Sequence, residues 1–588
     1  MKTYRGIAVS PGTAIGEALI IDNGRCRISR RNVERREVAA EIARLDDALV
    51  VVKEQIANSR DSVSKELGEE YGNIFDAHLQ IISDKKLLRD VTAHIRDDLY
   101  SAEYAVNVVF DEQAEKLRRF AMGDLAERVN DILDIEARLL RQLMGIRKDS
   151  IASMTRPVVI LATNLTPSET ANLDREHILG FVTEVGGQGS HTAIVASALQ
   201  IPAVLGVGMC LQDAEDGDLV IIDGKNGVVI LNPDLETVRK YEEQQKKERS
   251  FQQRLSSLSD LPAETKDGQR VTIYGNIEFP YESRFCLENG AAGIGLYRTE
   301  FLYLAATPDD LPDEDVHFEA YRQVAETMED RPITIRTFDL GSDKLPTGIA
   351  FAKEYERNPF MGLRSIRLSL RNTEMFRKQL RAILRASAYG KFRIMFPLVA
   401  TILEFRHAKM LFGDVCEELE EAGVEFDHSI PIGMMVEVPS AVIMLGTFVR
   451  EADFFSIGTN DLVQYTLAVD RSNKEVGSLY NSEDPALIRL IRQAVKVASM
   501  YAKPISLCGQ MSSNPIYTML LLGLGLRDFS VSPGAVLEIK EVCRHVTIAE
   551  CEEIAQKVMF METASEIRTY LKRELAQRVG SGFESLDQ

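Results

Sequence analysis

The chain has 588 residues, 45% of them apolar, with ordinary numbers of glycine and proline. At about 150 residues per domain that length supports three or four buried cores, and it excludes collagen-like, low-complexity and disordered classes. Its 69 Lys and Arg against 89 Asp and Glu leave a net charge of −20, which argues against nucleic acid and anionic membrane as partners because both need a basic face.

The first element in chain order is a strand over Thr13 to Ile21. A long helical stretch begins near Val33, where Ile42, Leu45, Leu49, Val52 and Ile56 recur at alternating spacings of 3 and 4, the stripe of an amphipathic helix. Helical signals run on to Leu143 almost without Gly or Pro, which predicts a bundle. Between Pro157 and Leu231 the pattern turns to short apolar runs, PVVILA, GFVTEV, AVLGV, LVIID and GVVIL, the signature of a compact α/β unit. If the opening strand completes its sheet, the bundle is an insertion. Leu235 to Ser259 is highly charged and ends in SSLSDLP, a solvated helix followed by a flexible joint.

From Gly268 onward eight strand-like runs alternate with helix-length segments: VTIYGNI, GIGLYR, ITIRTF, FRIMFP, IGMMVE, DFFSIG, ISLCG and RDFSV. That count and spacing predict a (β/α)8 barrel. The last eleven residues, RVGSGFESLDQ, read as frayed. The expected fold class is a multidomain α/β protein. Segments 1–32 and 144–232 form one α/β domain, 33–143 an inserted helical bundle, 233–262 a helical linker, 263–576 a TIM-like barrel and 577–588 a flexible tail.

Seven scattered cysteines without a CxxC pair disfavour a disulfide framework and a zinc site. The absence of a bilayer-length apolar run or a leader-like N-terminus predicts a soluble, cytoplasmic protein with no membrane insertion.

Barrel enzymes collect their chemistry at the C-terminal ends of their strands. Here the runs end in Asn276, Arg298, Arg336, Glu437, the Asn460-Asp461 pair and Cys508. Arg298, Arg336 and Arg471 either clamp an anionic substrate, guanidinium forks matching phosphate and carboxylate oxygens, or serve in surface ion pairs. Glu437 and Asp461 either share Mg²⁺ or pair with those arginines. Cys508 either exchanges a proton with a ligand in the cavity or packs as an inert thiol. His191 follows GGQGS and opens TAIVASALQ, so a glycine loop delivers an imidazole to a helix N-terminus. Backbone N–H groups there favour an anion and a neutral ring, which suits a nucleophile that accepts a phosphoryl group, although a histidine cap fits the same pattern.

In order and combination, NLTPSET, GGQGSHTAIVASALQIPAVLGV, GIGLYRTEFLY, IRTFDLGSDK, NPFMGLRSIRL, MMVEVP, FSIGTNDLVQYTLAVDR and SLCGQM resemble Enzyme I of the bacterial phosphoenolpyruvate:sugar phosphotransferase system over nearly the whole chain. The resemblance implies a phosphoenolpyruvate-protein phosphotransferase that loads His191 from phosphoenolpyruvate (PEP), releases pyruvate and passes the phosphoryl group to the carrier protein HPr. It implies that Thr170 lies near His191, that Arg298, Arg336, Asn460, Asp461 and Arg471 bind substrate, that Glu437 and Asp461 hold Mg²⁺, and that Cys508 protonates the enolate. Lys344 and Arg364 fall in adjoining motifs. It also implies a swivelling phosphohistidine domain, HPr docking on the helical bundle, with EEYGNIFDAHLQIISD and LAERVNDILDIEARLL as candidate segments, and a homodimer formed through the barrel. The chain departs from the family pattern at Asn164, Gln188, Gly189, Ser342 and Gln510. A dikinase reading would need a nucleotide-binding domain where the bundle lies, and a regulatory, non-catalytic reading is opposed by His191, Glu437, Asp461 and Cys508 together.

Overall fold

The computed structural model describes residues 1–10, 12–21, 31–67, 78–79, 81–120, 125–144, 156–165, 177–186, 201–304, 312–340, 358–471, 473, 475–580 and 583. The chain divides into two compact units, Met1–Ser250 and Phe251–Asp587.

The first unit contains an eight-stranded sheet of β1 (Lys2–Arg5), β2 (Ile7–Ser10), β3 (Thr13–Ile21), β4 (Val158–Ala162), β5 (Ile178–Thr183), β6 (Ala203–Leu205), β7 (Leu219–Asp223) and β8 (Val228–Leu231), in the order β1-β8-β7-β3-β4-β5-β6-β2. β3 pairs parallel with β4, Glu17 opposite Val158, and antiparallel with β7, Thr13 opposite Asp223. The sheet therefore draws strands from both sides of the helical stretch. VVILA of β4 is buried at every position, which is why it reads as an unbroken apolar run rather than an alternating one. The edge strands β1 and β2 were not anticipated from the sequence.

Helices α1 (Val38–Leu67), α2 (Lys85–Asp97), α3 (Ala102–Phe120) and α4 (Leu125–Met144) fill the interval between β3 and β4. Leu45, Leu49, Val52 and Ile56 are buried along α1. Buried Glu41 accepts a hydrogen bond from Ala102 N at the start of α3 (2.9 Å) and an ion pair from Arg44 (2.8 Å). A carboxylate on an apolar stripe is tolerable because both its partners are supplied.

Helix α5 (Leu235–Ser256) is largely exposed up to the buried Leu255. The following SSLSDLP segment is not the free joint expected from its composition. Leu255 and Leu258 pack with Leu537, the ammonium of Lys540 donates to Leu258 O (3.0 Å) and Ser259 O (2.9 Å), and Arg544 donates to Pro262 O (2.9 Å). Cations nearly three hundred residues away capture its carbonyls, a tie invisible in local sequence.

The second unit is a closed barrel of eight parallel strands, β9 (Thr272–Ile277), β10 (Ile294–Tyr297), β11 (Pro332–Arg336), β12 (Lys391–Phe396), β13 (Ile432–Val436), β14 (Phe455–Gly458), β15 (Ile505–Cys508) and β16 (Asp528–Val531), closed by β16 on β9. All eight expected runs became its strands. Apolar side chains such as Ile294, Ile333, Ile394 and Phe392 pack beneath the surrounding helices. A separate small cluster joins Leu296, Met395, Met435, Phe454 and Cys508. Among the described residues no helix is long and apolar enough to cross a membrane.

Candidate active site

A cavity of about 440 Å³ is lined by residues from the C-terminal ends of β10, β11, β13, β14 and β15, the position the barrel fold reserves for chemistry. Of the expected residues, Arg298, Arg336, Glu437, Asn460, Asp461, Arg471 and Cys508 all line it, as does Arg364. Asn276 does not; its side-chain amide donates to Ser530 O (3.1 Å) and ties β9 to β16. His191, Thr170, Lys344, Gln188, Gly189 and Ser342 lie outside the described residues.

Arg336 ends β11 and is 8% exposed. Its guanidinium pairs with Glu300 (3.1 Å) and Asp339 (3.0 Å), while its Nε has no hydrogen-bond partner. Burial opposes its charge, but the carboxylates of Glu300, Asp339, Glu437 and Asp461 outweigh that and hold it firmly protonated. Arg364 reaches the same Asp339 (2.8 Å) and approaches Asp461 (3.5 Å). Despite burial, which pushes upward, the two guanidiniums and the Ser365 hydroxyl lower Asp339 to about 2. Arg298, more open, pairs with Glu278.

Glu437 follows β13 and Asp461 lies in the first turn of the helix Thr459–Leu467. They are 1% and 8% exposed. Glu437 accepts a hydrogen bond from Leu398 N (2.5 Å), yet burial, then repulsion by Asp461 and Asp339, push its carboxyl far above the ordinary range. A Cβ on Gly458 would sit 2.8 Å from the Glu437 carboxylate, so glycine there leaves the acid its space. Gly509, at φ 103°, has the same duty: a Cβ would press on Thr459 Oγ1 at 2.6 Å and Asn460 Oδ1 at 3.0 Å.

Cys508 ends β15 and is 1% exposed. Its thiol is raised by burial, against a hydrogen bond donated by Ser456 Oγ (3.3 Å). Asn460 Oδ1 accepts from Gln510 N (3.1 Å) and Tyr480 Oη donates to Asn460 O (3.0 Å), which fixes the loop beside it.

The cavity carries four guanidiniums and five carboxylates. Glu278, Glu300 and Asp339 were missed in the sequence because each matters through its arginine; the only local signal was Asp339, three residues after Arg336. Among the described residues no cluster of three or more metal-ligating side chains occurs. The Glu437–Asp461 pair nonetheless fits a hard divalent cation, which takes one or two carboxylates and completes its shell with water and phosphate oxygens. Two buried acids that repel one another are stabilised by a cation between them.

Family models for PEP-utilising enzymes match three stretches: the N-terminal domain at 5–128, the mobile domain at 154–227 and the PEP-binding domain at 252–548. Similar proteins include the phosphoenolpyruvate-protein phosphotransferases of Priestia megaterium and Bacillus subtilis (strain 168), each 39% identical and covering 97% of this chain and 99% of their own length. That of Geobacillus stearothermophilus is 40% identical, with 97% and 98% covered. A solution structure of Enzyme I (nEIt) is 39% identical and covers 41% of this chain and 98% of its own, at a TM-score of 0.36.

Proposed function

We propose, for a chain that belongs to the phosphoenolpyruvate-protein phosphotransferase family, that His191 takes the phosphoryl group of PEP at the barrel pocket and passes it to a histidine of an HPr-type carrier, as the first step of sugar uptake. The observation that carries this reading is the convergence of four guanidiniums, a buried carboxylate pair and a buried thiol at one barrel mouth.

PEP brings a carboxylate and a phosphate of roughly −1.5 to −2 charge. The unpartnered Nε of Arg336 is a buried donor awaiting an acceptor, and an unmet donor of this kind favours an anionic ligand. Arg298, Arg364 and Arg471 complete the cationic lining, and Asn460 orients the substrate. A divalent cation, magnesium on this reading, held by Glu437 and Asp461, would offset the excess of carboxylate and neutralise phosphate oxygens. The His191 imidazole attacks phosphorus in line, the bond to the enol oxygen breaks, and pyruvate enolate leaves. Cys508 Sγ then gives its proton to the enolate carbon. Thr170 supports the phosphohistidine.

His191 belongs to the unit Met1–Ser250 and the pocket to Phe251–Asp587, so the cycle requires the two units to rearrange between loading and hand-over. HPr docks on the helical region, through 69–84 and 125–140. The chain works as a cytoplasmic homodimer joined through the barrel.

The test is incubation with labelled PEP and Mg²⁺, with and without purified HPr-type carriers. Label is expected on the chain and then on the carrier. Label that enters the chain and never reaches any carrier would support a regulatory role, and loading that requires ATP or AMP would support a dikinase.

A further inference from the structure

The barrel lumen contains polar groups that the reaction described above does not use. β14 and β15 are neighbours in parallel register, with Ser456 opposite Ser506 and Gly458 opposite Cys508. Side chains two apart on a strand share a face, so Ser506 lies one step below Cys508, toward the N-terminal end of the barrel. Ser506 Oγ donates to Ser456 Oγ (3.1 Å), and Ser456 Oγ donates to Cys508 Sγ (3.3 Å). The thiol's own hydrogen is directed at Ile457 O (3.5 Å). Ser506 Oγ is also 3.4 Å from Phe455 O, the longer of its two contacts, so the shorter path for its hydrogen runs to Ser456 and on toward sulfur.

Exposure follows the same axis. Cys508 and Ser456 are each 1% exposed, whereas Ser506 is half-buried, as are Thr272, Tyr274, Arg393 and Asp528 in the same lower part of the barrel. Asp528 stands beside Ser506 in the ladder. Burial thus increases along β15 from Ser506 to Cys508.

We propose that Ser456 and Ser506 are positioning residues that hold the Cys508 thiol and reload it with protons from the N-terminal side of the barrel, opposite the substrate pocket. The proposal rests on the reading that Cys508 protonates enolpyruvate. In that step the enol π pair forms a C–H bond with the thiol proton, and sulfur keeps the S–H pair as thiolate. A thiolate in the apolar cluster of Leu296, Met395, Met435 and Phe454 is costly unless hydrogen-bonded. Ser456 already donates to it. Reloading moves one proton: the Ser456 O–H bond breaks as S–H forms, Ser456 Oγ takes the proton of Ser506, and Ser506 takes one from a solvent hydronium ion, which leaves as water. One solvent proton is consumed per pyruvate.

Proton movement can be measured apart from phosphoryl transfer. With the full chain, Mg²⁺ and pyruvate in D2O, loss of the methyl proton signal reads exchange at carbon 3, while label from PEP reads phosphorylation of the chain. In Ser456→Ala, exchange is expected to fall at least about tenfold further than phosphorylation, a loss at the low end for a misplaced proton donor. Ser456→Thr, which keeps the hydroxyl, should return the ratio to within about threefold of wild type, and Ser506→Ala should fall between. Wild-type exchange in Ser456→Ala, or equal loss of both readouts without rescue by threonine, would overturn the relay alone. Wild-type exchange in Cys508→Ala would overturn it together with the assignment of Cys508.

Discussion

The two sides of the barrel pocket treat buried carboxylates in opposite ways. On one side Asp339 lies between Arg336 and Arg364 and stays ionised down to about 2. On the other, Glu437 is pushed far upward, first by burial and then by the nearby Asp461 and Asp339, which outweigh Arg336. On the guanidinium side only Arg336 Nε still lacks a partner, and on the function proposed above the carboxylate side is completed by a cation. The proposal is that such a pocket takes its substrate's anionic groups on arginines that are already oriented and reaches full neutralisation only with the metal present.

The largest break in this contrast comes from Arg336→Met. It leaves Glu300 without its guanidinium and Asp339 with Arg364 alone, and removal of one partner of a buried pair costs about 3–5 kcal/mol. Denaturant unfolding should record that loss. Pyruvate release from PEP should fall roughly a thousandfold, the upper range for a lost charge-stabilising donor. Glu437→Gln should behave in the opposite sense. It keeps an acceptor for Leu398 N but relieves the repulsion, so the metal-free chain should gain about 1–2 kcal/mol. Turnover and metal affinity should still drop by on the order of a hundredfold. A variant that lost both stability and activity would contradict the idea of an unfinished carboxylate side.

The smallest effect on turnover is expected behind the guanidinium side. Buried His317 bonds Tyr303 (2.9 Å) and Tyr321 (3.1 Å), and Gln379 links Tyr321 to Thr299 and Phe338, which flank Arg336. Burial lowers the imidazole from 6.5 to about 4. Between those values the unfolded chain binds the extra proton, so stability is full above the upper value and is lost as pH falls toward the lower. The total is about 3 kcal/mol. His317→Gln should flatten urea-unfolding stability across that window while activity at neutral pH changes only a few-fold; an unchanged pH slope would show that the ring is not held neutral.

Much of the barrel was legible because its strands are buried parallel strands, which read as continuous apolar runs ending in unusual polar residues. Strands β1 and β2 were not, because KTYR and IAVS are short edge strands of mixed polarity around Gly6, where a Cβ would sit 2.5 Å from Leu205 O. The site's arginines and acids could be chosen from strand ends. Their pairing could not: which carboxylate neutralises which guanidinium depends on the closed ladder. The SSLSDLP segment failed for the same reason, since composition suggested freedom and Lys540 supplied restraint. Ser456, inside an apolar run, gave no sign of its contact with Cys508 beyond being the one hydroxyl in DFFSIG.

The central claim is that phosphorus moves from PEP to one imidazole. The direct measurement is mapping of the acid-labile, base-stable phosphate formed when the full chain meets PEP and Mg²⁺, in wild type and in His191→Ala. Phosphate is expected on the peptide bearing His191 and none on the alanine variant. Equal phosphate incorporation in His191→Ala, or phosphate mapped to another residue, would contradict it.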